Sequence, residues 1–392
     1  MPWKELLPMD QKVLFISDWL REKSLSITQL CQRYSISRKT GYKWIKRYQE
    51  QGVNGLYEKS RKPISHPASI PLAIRKKIIE LRMQSVITPG AKKIQARLKT
   101  LYPNEQPPSK SSIYNILHTE GLVHPQRRRR RYDRYTKPLK RSTSPNELWS
   151  VDFKGQFKLL DGQWCYPLTL MDDFSRYLLG CESQNTVGTR TTIKSFEYLF
   201  RKYGLPERIR SDNGVPFSSK AVGGISRLSA WWIKLGIHPE RIEPGKPQQN
   251  GKHERMHRTL KRYATHPPEH SFKLQQERFD IFKQAFNEER PHESLDFKTP
   301  KECYQSSRQP FPETISAPEY PPYYEVRTVQ KNGTIHWKNN RLYVTHLLEG
   351  EQVGLEEVDD GIYAIYFYFY QLGKLDIRDK AVGSGCYLSI KV

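Results

Sequence analysis

No cysteine in this chain belongs to a CxxC pair; the five, Cys31, Cys165, Cys181, Cys303 and Cys386, are scattered without regular spacing. That excludes a thiolate zinc site and a disulfide framework, and it fits a reducing cytosol. Long apolar runs are missing too. Charges break the opening MPWKELLPMDQKVLFISDWLREKS before a signal core could form, and no later stretch approaches the ~18 apolar residues of a membrane span, so no membrane partner is expected. Acid is also scarce: 41 Asp and Glu face 65 Lys and Arg, a formal charge of +24. With 36% hydrophobic residues left for cores, this imbalance predicts a folded protein that meets a polyanion, nucleic acid first.

The 392 residues suggest several domains. In the first, residues 1–62, apolar residues at helical spacing (Val13, Leu14, Ile16, Leu20, then Ile27, Leu30, Tyr34) give two helices. Ser37 can cap a third, RKTGYKWIKRYQEQG, in which Tyr42, Ile45 and Tyr48 pack and Gly52 is the stop. Two helices, a turn and a basic helix read as a helix-turn-helix, although any trihelical bundle with a basic face has the same pattern. In that motif Arg38, Lys39, Thr40, Lys43, Lys46 and Arg47 are candidate DNA contacts. Residues 68–123 repeat the unit: LAIRKKIIELRMQ, then AKKIQARLKTLY capped by Thr88, then SKSSIYNILHTEGL, where Lys110, Ser111 and Tyr114 hold the corresponding positions. A basic linker at 124–143 follows, with Arg127, Arg128, Arg129, Arg130 and Arg131 in one run that can lie along phosphates or simply solubilise the chain.

From residue 144 to 308 the elements read β-β-β-α-β-α-β-α with a helical tail, an α/β domain with mixed strand pairing. Beyond a Pro-rich joint, residues 320–392 hold alternating strands with KNG and KNN turns, which predict a small β-barrel. There Tyr366, Tyr368 and Tyr370 read as one face of a half-buried strand.

Three acids stand out in the α/β segment. Asp152 sits mid-strand in WSVDFKG with Val151 and Phe153 on the opposite face, Asp212 ends the strand of RIRSDNG, and Glu254 lies on the helix that begins near Gln248. If those elements adjoin, three oxygen ligands suit Mg²⁺ or Mn²⁺, and two such ions can activate both sides of a phosphodiester. Each acid also has a bland reading: a strand hydrogen bond, an Asp-Asn-Gly turn, or an i, i+4 partner for Arg258.

Resemblance separates these readings. WSVDFKGQF, YPLTLMDDFSRYLLG, GLPERIRSDNGVPFSS and PGKPQQNGKHERMHRTLK, in that order, resemble the integrase core of bacterial insertion-sequence transposases in the retroviral integrase superfamily, with its Asp-Asp-Glu triad. The resemblance implies a multidomain chain: tandem helix-turn-helix domains, an α/β RNase H-like catalytic core and the C-terminal barrel. It implies Asp152, Asp212 and Glu254 as triad and metal ligands, two Mg²⁺ or Mn²⁺ ions, and strand cleavage and transfer on double-stranded DNA, both transposon ends and target. It also implies a homodimer or higher oligomer on DNA in the bacterial cytosol, at the nucleoid. One departure is the 42 positions from Asp212 to Glu254, with GGISRLSAWW as the extra material. Asp172 and Asp173 are a fallback ligand pair.

Two other readings remain. His253, Glu254 and His257 spell HExxH, the zinc-protease pattern, with Glu277 downstream as a possible third ligand. A helix-turn-helix regulator with an inactive core would need neither triad nor zinc. Helical spacing puts Glu254, His257, Arg258 and Lys261 on one face, and Met256, Leu260 and Tyr263 on the core side. That pattern suits a metal beside a phosphate track to which Lys252, His257, Arg258 and Lys261 contribute.

Overall fold

Ser26 and Ser37 decide where the first domain turns. In a computed structural model describing residues 8–21, 24–59, 69–123, 142–219, 221–338, 340–377 and 387–388, both cap helices with their side-chain oxygens. Helix α1 spans Pro8–Arg21, α2 Ile27–Arg33 and α3 Arg38–Gln51, which stops at Gly52 with a positive φ of 61°. Phe15, Ile16, Leu30, Cys31, Trp44, Ile45 and Leu56 form the core of this bundle. The expected inward faces hold only in part: Ile45 is buried, but Trp44 joins it in place of Tyr42, which is 55% exposed, and Val13, Leu14 and Leu20 face outward while Phe15 and Ile16 face inward. Chain contacts divide the molecule into two compact units, Met1–Ser69 and Ile70–Val392.

The second unit begins with another trihelical bundle, α4 (Leu72–Gln84), α5 (Ala91–Leu101) and α6 (Lys110–Thr119), packed on Ile78, Leu81, Ile94, Leu98, Ile113 and Leu117. Ser109 caps α6 as expected of a polar residue before a helix. Thr88 does not cap α5; Gly90 holds that place without a side-chain bond. The arginine run 127–131 lies outside the described residues.

A mixed sheet follows. Strands β1 (Leu148–Phe153), β2 (Phe157–Lys158), β3 (Trp164–Asp172) and β4 (Leu178–Gln184) lead into α7 (Thr189–Tyr203). Then come β5 (Arg208–Ser211), α8 (Arg227–Lys234), β6 (His238–Arg241), α9 (Gly251–Ala264) and α10 (Phe272–Gln284). Strand β3 pairs antiparallel with β1 and β4, β1 pairs parallel with β5, and β5 parallel with β6. Trp149, Val151, Leu168 and Leu170 pack under α7 and α8 on one face; Met171, Cys165 and Cys181 pack under α9 and α10 on the other.

GGISRLSAWW is not loose extra material. Helix α8 inside it buries Leu228 and Trp232 against the sheet, while Ala230 and Ile233 join a different core, with Val329, Ile335 and Ile365. The Lys234–Glu351 ion pair adds to that seam. Gly224, at φ 65°, allows the chain to enter α8, since a Cβ there would overlap the Arg241 guanidinium.

After the short helix α11 (Pro300–Cys303) come β7 (Glu325–Thr328), β8 (Thr334–Trp337), β9 (Asn340–Tyr343), β10 (Gln352–Asp359), β11 (Ile362–Phe367), β12 (Tyr370–Asp376) and β13 (Tyr387–Leu388). The expected barrel does not close among the described residues. Instead a four-stranded sheet, β12-β11-β10-β7, and a three-stranded sheet, β13-β9-β8, share one core. Strands β7, β8 and β9 have only four residues each, and among the described residues no ladder joins one sheet to the other. The tyrosine stripe is also broken, because Tyr368, at φ 54°, turns the chain between β11 and β12.

Candidate active site

Alternation along β1 sorts its side chains: Trp149 and Val151 enter the core under α7, so Ser150 and Asp152 face α9. The parallel register pairs Trp149 with Ile209 and Ser150 with Arg210, and continuing it leads Asp152 toward Asp212, just past the end of β5. Adjacent strands lie only ~4.8 Å apart, so carboxylates at the ends of two such strands are neighbours. Glu254 projects from the first turn of α9 and is exposed. All three acids line one open cavity of about 500 Å³, together with Asn213, Gly214, Glu243, Lys246 and Asn250.

The electrostatics of that cavity are those of crowded carboxylates. Burial first, then the charges of Asp212 and Glu254, push the Asp152 carboxyl up to about 7, against the opposing pull of Lys154 and of its backbone hydrogen bond. Asp212 also serves the turn it begins, where its Oδ1 accepts the Gly214 N–H at 3.1 Å and the Asn213 amide donates to the Ile242 carbonyl at 2.8 Å. Among the described residues no three of His, Cys, Asp and Glu are gathered tightly enough to form a ready-made metal cluster. The donor set around the cavity is all oxygen, the chemistry of Mg²⁺ and Mn²⁺ rather than zinc. Cations there would offset both the burial and the carboxylate repulsion that raise Asp152.

Glu243 is a cavity acid that sequence reasoning did not single out. Its carboxylate accepts from the Gln249 amide at 2.8 Å and pairs with Lys246, which ties the loop before α9 to the site. The only sequence signal is its place immediately before PGKPQQNG.

Asp172 and Asp173, the fallback ligands, are otherwise engaged. Asp172 is fully buried and accepts from Asn146 N–H at 2.8 Å and from Ser175 N–H at 2.7 Å. Burial pushes Asp173 up, but Lys252, Ser142 and Arg176 together hold it below the usual carboxylate range. Its bond to Lys252 Nζ, at 2.5 Å, anchors the start of α9 and diverts that lysine from the phosphate track.

The HExxH letters fall on different faces. His253 and His257 are buried while Glu254 is exposed, and Glu277 is exposed on α10. Burial holds His253 at about 3 and His257 at about 2, both neutral. Both Nε2 atoms lie 2.7 Å from the Thr169 hydroxyl while Glu254 faces away from them, so the zinc-protease arrangement is not formed among the described residues. His257 also leaves the expected phosphate-facing set, because α9 is rotated enough over β1 and β3 to bury it, whereas Arg258 and Lys261 stay exposed.

On α3, Arg38, Lys39, Lys43 and Lys46 are exposed, and Thr40 and Arg47 are half-buried. Lys43 and Arg47 sit over the Trp44 ring, at 4.3 and 5.0 Å from its centroid. Lys110, Ser111 and Tyr114 are exposed on α6 and line a second cavity of about 650 Å³ with Lys92, Lys93, Glu293 and Phe297. No helix among the described residues is long and apolar enough to cross a membrane.

Family models match in the same order as these domains. A helix-turn-helix domain matches residues 14–64 and a homeodomain-like domain 40–117. An integrase core domain matches 142–247, with a second such model over 235–300, and the C-terminal domain of IS481 family transposases matches 324–383. The chain is 29% identical over 194 residues to the insertion element IS407 uncharacterized 31.7 kDa protein of Burkholderia multivorans, covering 48% of this chain and 67% of that one. It is 25% identical over 280 residues to the insertion element IS476 uncharacterized 39.2 kDa protein of Xanthomonas euvesicatoria, covering 70% and 77%. Among solved structures, a chain of the simian T-cell lymphotropic virus intasome in complex with a PP2A regulatory subunit aligns at 19% identity and a TM-score of 0.37, over 71% of this chain and 97% of that one.

Proposed function

We propose that this chain, which belongs to the bacterial insertion-element transposases of the retroviral integrase superfamily, cleaves DNA at the ends of its element and joins those ends to target DNA through Asp152, Asp212 and Glu254. The observation that carries the reading is the meeting of these three acids, from segments 60 and 42 positions apart in the numbering, on the wall of one cavity inside the segments matched by the two integrase core models.

The reaction class is polynucleotidyl transfer. In cleavage, water attacks a phosphodiester phosphorus and the 3′ oxygen leaves; in joining, that 3′-hydroxyl attacks a target phosphodiester and another 3′ oxygen leaves. Asp152, Asp212 and Glu254 would hold the divalent cations, Mg²⁺ or Mn²⁺ and two in number. Bound there, they supply Lewis acidity to both the attacking and the leaving oxygen. Arg258 and Lys261, on the exposed side of α9, hold the phosphate backbone beside the acids. Lys246 and the turn around Asn213 border the approach to the cavity.

The paired helix-turn-helix domains read the terminal inverted repeats, with Arg38, Lys39 and Lys43 on α3 and Lys110, Ser111 and Tyr114 on α6 as the exposed contact residues. Two ends must be held for joining, so the working form is a dimer or larger, and the C-terminal sheets contact DNA or the second copy.

The test is strand cleavage and joining by the full chain on duplex DNA bearing the element's ends. Products that require Mg²⁺ or Mn²⁺ and vanish with chelator are expected. Tight binding to that DNA with no product under any divalent ion would favour a regulator with an inactive core.

A further inference from the structure

The reaction above uses Glu254 and leaves the two histidines of the HExxH spelling without work. Both are buried, and both aim Nε2 at the same atom. The Thr169 hydroxyl receives His253 Nε2 and His257 Nε2 at 2.7 Å each and lies 2.9 Å from the Asp152 carbonyl oxygen. Thr169 faces Asp152 directly in the β1–β3 register. Ser150, two residues before Asp152 on the same face, reaches His253 Nδ1 at 2.8 Å.

A hydroxyl has one proton and two lone pairs, and a carbonyl only accepts. The Thr169 proton therefore goes to Asp152, and its lone pairs take one N–H from each imidazole. Both histidines are thereby fixed as Nε2–H tautomers. His253 Nδ1 becomes an acceptor for the Ser150 hydroxyl, which lies closer to it, at 2.8 Å, than to the competing Met171 carbonyl at 3.3 Å, and His257 Nδ1 is left unprotonated, 3.6 Å from Asp152 Oδ2. One hydroxyl thus links the strand that carries Asp152 to two successive turns of the helix that carries Glu254. It also stands at the point where two imidazole nitrogens converge, the place a zinc ion would need.

We infer that Thr169, His253 and His257 are positioning residues that set the separation of Asp152 and Glu254 and thereby the affinity of the acids for divalent cations. This rests on the triad reading. A buried network of this kind acts only when every member is satisfied, so loss of the hydroxyl orphans two imidazole N–H groups at once.

The test is Mn²⁺ binding to the full-length chain without DNA, measured by calorimetry, with duplex binding and the thermal midpoint followed in parallel. Thr169→Val is expected to weaken Mn²⁺ binding at least tenfold, with duplex binding unchanged, and Thr169→Ser to stay within about twofold of wild type. Should Thr169→Val unfold, His257→Leu against His257→Gln repeats the comparison, because the glutamine amide nitrogen can replace Nε2–H. ¹⁵N spectra of the wild type should show both imidazoles protonated at Nε2 alone. Mn²⁺ affinity that is lost in Asp152→Asn but unchanged in Thr169→Val and His257→Leu would overturn the proposal. So would Nδ1–H tautomers, or a stoichiometric zinc ion that either histidine variant releases. Mn²⁺ binding indifferent to Asp152 would sink the triad reading instead, with the tautomers still deciding for or against the network.

Discussion

His292 is a residue whose burial has a measurable consequence away from the acids. Burial first, then the nearby cations Lys93, Arg290, Arg176 and Arg255, hold its imidazole at about 3, neutral in the folded protein. The unfolded chain takes up a proton near the ordinary value of ~6.5, so the stability His292 contributes is whole above that pH and is lost as pH falls toward 3. The slope is one proton, about 1.4 kcal/mol per pH unit. His292→Gln should flatten the pH dependence of urea-derived stability between pH 6 and 4.5 by that amount; parallel curves for variant and wild type would refute it. The three acids proposed as the triad could be singled out in the sequence because each sits inside a spelled motif. His257 was not: spacing along α9 gives a helical face but not the rotation of that face over β1 and β3, and only packing buried it. Glu243 escaped notice because its role depends on Gln249 and Lys246 folding back onto it.

At the scale of elements, caps and close approaches carry the testable energies. Ser37 accepts the Thr40 N–H at the start of α3, and Ser37→Ala should cost the first domain about 1 kcal/mol, read from its denaturation midpoint. Gly180 in β4 lets α7 lie close on the sheet, since a Cβ there would come within 2.7 Å of Leu199 Cδ1. Gly180→Val should destabilise the second unit by about 1–3 kcal/mol through overpacking, and a neutral effect would show that α7 can shift freely. Helix α3, its serine cap and its glycine stop could be read directly, because caps are local chemistry. The inward residue Trp44, the two-sided packing of α8 and the open C-terminal sheets could not. Each depends on a partner far along the chain, as when Ala230 and Ile233 meet Val329 and Ile335.

The whole molecule combines a charge of +24 with one small helical unit, Met1–Ser69, and a larger one that holds a second trihelical bundle, the acid-lined sheet and the C-terminal strands. Such a charge makes DNA binding depend on released counterions. The logarithm of the full chain's affinity for duplex DNA should fall linearly with log salt, the affinity dropping on the order of a thousandfold between 50 and 200 mM if some six phosphates are neutralised. A salt-independent affinity would contradict a phosphate-tracking surface. Order of domains and sign of charge were readable at this scale; their meeting points were not, because contacts between domains leave no local pattern.

The most direct measurement compares strand joining by full-length wild type, Asp152→Asn, Asp212→Asn and Glu254→Gln on end-bearing DNA with Mn²⁺, alongside DNA binding. All three variants are expected to bind DNA as wild type does and to lose joining by at least a thousandfold, about 4 kcal/mol of activation free energy. Joining by Asp152→Asn near the wild-type rate would contradict the account.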